Sequence, residues 1–206
     1  MAVKRVVMAL VLAAWAGTSM AIAVGAAAAA DDVPARLDAA KAAWARGDLP
    51  RTARELDAVL TQVHERLGRA FAETMPPPPP GWTAEKPEVQ GLGQVGGGLS
   101  VSRAYTHNES TLNASLILDS PAVEAAAALL ANPAATAAQP NVKRVKVGAD
   151  EALMRYDPIT RSGEITLVLG TRVLLEIEGD GLSAADVLVE GAKGWNTARI
   201  RSLAGP

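Results

Sequence analysis

Two histidines, no cysteine and a scatter of carboxylates bound the chemistry open to this chain. His64 and His107 stand apart, each without a second histidine four residues away or an acidic ligand set beside it. That spacing does not build a catalytic metal centre, which needs several converging donors. The lack of cysteine excludes a thiol nucleophile and thiolate metal ligands. The G-x-S-x-G elbow of hydrolases does not occur. Ser100, Ser102 and Ser115 fall in strand-like segments, where hydroxyls usually serve structure. One carboxylate pair has a useful spacing. Glu176 and Glu178 share one side of an extended segment, about 7 Å apart at the rise of a strand. Such a pair suits acid–base work on a glycoside. Yet the two alternate with Val173, Leu175 and Ile177, and Arg172 shares their parity. This is the pattern of a solvated sheet face, and Arg144 and Lys146 repeat it. No catalytic, metal-ligating or cofactor-binding residue is assigned.

Gly91-Leu92-Gly93-Gln94-Val95-Gly96 matches the dinucleotide string G-x-G-x-x-G. The buried strand before it and the helix after it, which that mechanism requires, are missing, and no Lys-Ser or Lys-Thr follows for a phosphate loop. Residues 83–98 are expected to be a flexible loop or a bulged approach to a strand. The aromatics comprise four Trp, two Tyr and one Phe, too few for base- or sugar-stacking platforms. The net charge of −2 makes nucleic acid an unexpected partner.

The start of the chain carries an address. Lys4 and Arg5 precede an uncharged, apolar run to Ala30, where small residues meet Asp31-Asp32. A basic region, an apolar stretch and an A-x-A cut at Ala28–Ala30 are the parts of a secretory signal peptide. Cleavage near Ala30 and delivery to a periplasm or the outside are expected. The rival reading is an uncleaved membrane anchor, since the run is long enough to span a bilayer. The zero cysteine count excludes a lipoprotein Cys.

The remainder reads as a helical hairpin over 31–75, a Pro-rich linker over 76–81 and an α+β domain over 82–206. Leu37, Ala40 and Trp44 share one face of a first helix, and Gly47-Asp48 breaks it. Pro50 opens a longer helix in which Ala53, Leu56, Leu60, Val63, Leu67 and Ala70 form a heptad-like stripe. Pro76–Pro80 stops it and favours a stiff extended spacer. From Leu99 the apolar period changes to two. The order ββαββββα follows: a mostly antiparallel sheet of about six strands with two helices on it. Ser120 is expected to cap the first of these helices and Ser183, with Asp186, the second. Trp82 is expected to begin the domain's core.

Three strings carry a resemblance: Ala45-Arg46-Gly47-Asp48-Leu49 at the hairpin turn, Pro80-Gly81-Trp82 at the domain start, and residues 172–181 before the last helix. They are similar to exported bacterial proteins of unassigned function built from a helical hairpin and a small α+β domain. In element order the domain also resembles the Mog1/PsbP-type sandwich, whose members are binding and assembly factors. With no catalytic constellation and a heptad-like stripe that needs covering, the chain is expected to be a non-enzymatic exported binding or assembly module. The stripe Leu56, Leu60, Val63 and Leu67 is its candidate interaction face, for a protein partner or for self-association. The stiff Pro run is expected to hold this hairpin away from the sheet. The alternatives are a structural envelope protein retained by its N-terminal segment, and an enzyme with an unrecognised carboxylate or Ser/Lys site.

Overall fold

A computed structural model describes residues 32–93, 96–137, 139 and 141–205. The expected signal segment and its cleavage site lie outside the described residues. Helix α1 (Val33–Ala45) and helix α2 (Leu49–Ala72) form the hairpin. Gly47 turns the chain at a φ of 72°, a left-handed conformation that glycine adopts without strain. Asp48 caps α2, its carboxylate accepting from the Arg51 amide at 3.1 Å. Pro50 lies in the first turn, where no amide is needed. Ala40, Ala43 and Thr52 are buried, small enough for two helices to approach closely. Arg36 reaches from α1 to Glu55 of α2 at 3.3 Å.

Eight strands form one antiparallel sheet among the described residues. They are β1 (Thr83–Ala84), β2 (Glu88–Gly91), β3 (Leu99–His107), β4 (Ser110–Leu118), β5 (Val142–Val147), β6 (Asp150–Asp157), β7 (Ser162–Leu169) and β8 (Val173–Asp180). The β3–β4 hairpin and the β5-to-β8 meander join where β8 pairs with β4, giving the order β1-β3-β4-β8-β7-β6-β5 with β2 also on β3. The joining register sets Leu116 against Leu175 and Ala114 against Ile177. Directly opposed residues share a sheet face, so apolar side chains from both halves line one side. The chain is an α+β protein with the expected ββαββββα order. The two short strands in the Gly-rich segment are additions: both supply hydrogen bonds to the outer edge of β3. Gly98, just before β3, lies tight against the end of β4: a Cβ there would overlap the Leu118 carbonyl oxygen and lie 2.7 Å from that of Asp119.

Helix α3 (Pro121–Ala131) is capped by Ser120, as its sequence predicts, and is followed by the short α4 (Pro133–Ala137). It contacts β4, β7 and β8. Helices α5 (Asp186–Lys193) and α6 (Thr197–Ala204) bring Leu188, Ala192 and Ile200 into the core with Leu99, Val101, Leu116, Leu167 and Leu175. The residues after the last predicted helix form α6 because Asn196 caps it, accepting from the Arg199 amide at 3.0 Å.

Two expectations are corrected here. Ser183 does not cap α5; the helix begins at Asp186, and Ala185 at the cap position makes no side-chain bond. Leu182 is fully buried, and Arg161 Nε donates to its carbonyl at 3.0 Å. That anchor holds the chain non-helical past Ser183. Nor does the Pro run hold the hairpin away. Phe71 and Met75 join the sheet's own core, with Leu67 and Ala72 packed against it. The Tyr105 hydroxyl on β3 donates to the Pro76 carbonyl at 2.7 Å. Helix α2 docks before the prolines begin, so their stiffness fixes the contact instead of preventing it. Helix pair and sheet belong to one compact unit.

Candidate functional site

The heptad stripe divides into two parts with different roles. Leu67 is partly buried against the core, and Phe71 one turn later is fully buried. Toward the other end of α2, Leu56, Leu60 and Val63 are 46%, 52% and 37% exposed. Leu49, Leu37 and Trp44 extend this surface at 58%, 45% and 68% exposure. A groove of about 290 Å³ runs between the helices, walled by Leu37, Trp44 and Leu56 with Ala40 and Thr52 among its lining residues. The sequence marks the stripe correctly by period. It does not mark where the sheet stops covering it, nor that Leu37, Trp44 and Leu49 belong to the same exposed surface.

The division has a local cause. Gly68 brings α2 against β2, whose Val89 fills the space a side chain would take. N-terminal to Gly68 a groove separates the helix from the sheet edge. His64 faces this junction, its Nδ1 4.0 Å from where a Cβ on Gly91 would stand. A wider groove of about 700 Å³ lies there, lined by Asp57, Leu60, His64, Val89 and the glycines at 91, 93, 97 and 98. The G-x-G-x-x-G string thus starts in an antiparallel edge strand and leads into another strand, β3. His107, at the β3–β4 tip, stacks on Trp82 with ring centroids 5.5 Å apart. Trp82 is half-buried against the core.

The carboxylates lie on the sheet face opposite the main core. Glu178 stands between Asn113 and Glu164, and Glu176 between Ser115 and Thr166. Arg155 offsets part of the negative charge, pairing with Glu164 at 3.1 Å. The Glu176 carboxyl is pushed up by burial, with Glu178 and Glu164 adding to the rise. A raised carboxyl beside a second carboxylic side chain is an ingredient of general acid–base chemistry. The geometry keeps Glu176 out of the cleft that Glu178 lines. That cleft, about 520 Å³, is lined by Asn141, Arg155, Asp157, Glu164, Glu178 and Asp180 among others, but not by Glu176. Asp157 is occupied in its own turn, accepting from the Ile159 amide at 2.8 Å. Arg172, which shares parity with these glutamates, turns away to make a bidentate pair with Asp119 at 2.7 Å on both arms. That pair holds the Asp119 carboxyl below the usual range. Its remaining nitrogen donates to the Ala204 carbonyl at the end of α6. Among the described residues, no group of three His, Asp or Glu side chains converges on a metal-sized site.

Comparison with protein-family models, with curated proteins and with solved structures finds no match. Among the described residues, no helix is long and apolar enough to cross a membrane.

Proposed function

We propose that this protein is a non-enzymatic binding or assembly module, exported by its N-terminal segment, that engages a protein partner through the outer face of its helix pair. The observation that carries the reading is the run of large apolar side chains at Leu37, Trp44, Leu49, Leu56, Leu60 and Val63, all exposed on neighbouring turns of α1 and α2. Isolated exposed leucines are ordinary on protein surfaces. A contiguous patch marks an interaction surface. Export is supported by Lys4, Arg5 and the uncharged run to Ala30.

A photoactivatable residue at position 60, introduced into the protein in its own cells, tests this reading. The expected result is a discrete cross-linked product that disappears when Leu56 is replaced by Glu. Failure to form any adduct, from a chain that is folded and abundant, would overturn it.

A further inference from the structure

We infer that the occupant of this face is a second copy of the same chain, two hairpins closing face to face into a four-helix bundle. This rests on the binding-module reading and narrows it to one partner. The period of the stripe is the first support. Leu49, Ala53, Leu56, Leu60 and Val63 recur at alternating steps of four and three. That 3.5-residue repeat suits a seam against other helices, and the sheet takes up only its C-terminal continuation at Leu67.

Self-complementarity is the second. An isologous interface must carry its knobs and its holes on one surface. Here the knobs are Trp44, Leu56 and Leu60, and the hole is the groove between α1 and α2, where Ala40 and Thr52 are small. The groove's volume of about 290 Å³ is large enough to take a leucine or tryptophan side chain from the facing hairpin.

Area is the third. Six side chains at the exposures given above leave roughly 500 Å² of apolar surface per copy, at the upper end of what a single monomer displays. Two such faces, with the stems of flanking residues, would bury roughly 1,200 Å² in total, the lower bound for a specific interface. A reversible dimer follows, not an obligate one. Charge opposes it only weakly. Residues 33–72 carry seven basic and five acidic side chains, so two copies meet with both signs interspersed. A strongly anionic surface as partner would call for a larger basic excess.

The absence of cysteine makes the test clean. Single substitutions Leu56→Cys, Leu60→Cys and Val63→Cys are made in the full chain, with Glu151→Cys, exposed near the start of β6, as the control. Under mild oxidation, at least one stripe variant is expected to give a disulfide-linked dimer quickly, and the control is not. Light scattering of the cysteine-free protein is expected to show a concentration-dependent dimer. In Leu56→Glu/Leu60→Glu its Kd should rise about 100-fold or more, because each carboxylate would be buried unpaired. The circular dichroism spectrum should not change, since neither leucine is in the core. A protein that stays monomeric and gives no stripe disulfide overturns the inference. So does a dimer that survives the double substitution. If the position-60 probe captures a different polypeptide in cells while the protein alone is monomeric, self-pairing fails and the binding-module reading stands. If it captures nothing, both fail.

Discussion

Replacing Gly68 by Ala isolates the contact that decides which part of α2 is covered. By helix propensity alone, this change in a helix interior should stabilise the protein by about 1 kcal/mol. Packing predicts the opposite. An alanine Cβ would overlap Val89 Cγ1 and lie 3.1 Å from Cγ2 and 3.2 Å from Cβ. Val89 cannot rotate away easily, because a β-branched side chain has few accessible χ1 wells. Its backbone cannot withdraw easily either, since β2 is paired with β3 through Val89 and Val101. Overpacking of this kind costs about 1–3 kcal/mol, so a net loss of about 1 kcal/mol is expected. For a protein of this size that lowers Tm by roughly 2–4 °C. Val89 is 40% exposed, so Val89→Ala alone should cost little. The double variant should recover the propensity gain and melt at or above the wild type. The coupling read from the four proteins should be at least about 1 kcal/mol. If Gly68→Ala melts higher than the wild type, or the two changes add without coupling, the close approach of α2 to β2 is not real. The reason given for the exposed half of the stripe would go with it.

Burial pushes the Tyr105 phenol up to about 12, with Arg103 partly opposing the rise. The folded state thus favours the neutral phenol. Its stability should be intact below pH 10 and fall by roughly 2–3 kcal/mol as pH rises from 10 to 12. Tyr105→Phe should flatten that limb and cost about 1–2 kcal/mol at neutral pH by leaving the Pro76 carbonyl unpaired; parallel alkaline limbs in urea titrations would refute this. The raised Glu176 carboxyl makes its ionised form a burden on the fold at neutral pH. Glu176→Gln should therefore raise Tm at pH 7, with the advantage shrinking as pH falls and the wild-type carboxyl takes up its proton. A lower Tm at pH 7 would contradict it. A chain begun at Gly81 loses Phe71 and Met75 from the core. At about 3–5 and 2–5 kcal/mol for losing such side chains, the deficit approaches a whole domain's stability, so calorimetry should find no cooperative transition. Leu67→Glu should lower Tm by several degrees while Leu60→Glu leaves it nearly unchanged, because only Leu67 packs on the sheet.

The sequence by itself determined what depends on neighbours along the chain. Alternation from Leu99 onward placed the six long strands, since a strand's two faces are written at period two. Ser120-Pro121 marked the start of α3 because capping is a matter of one side chain and the next few amides. The 3.5-residue period on α2 marked which of its sides is apolar. Local rules failed where a distant group intervened. Ser183 and Asp186 have the spacing of a capping box, but Arg161, far away in sequence, holds the Leu182 carbonyl and delays the helix. The glycines before Leu99 read as loop, because the edge strands they permit draw their hydrogen bonds from β3 and not from any pattern of their own. The Pro run read as a spacer, since nothing in five prolines tells that Tyr105 will bind the first carbonyl. Above all, period marks a stripe without saying what covers it. Tertiary structure alone decided that Phe71 and Leu67 meet the sheet while Leu56 and Leu60 do not. Coverage depends on where the edge of β2 lies in space, and that position is set by strand pairing and by one missing side chain at Gly68.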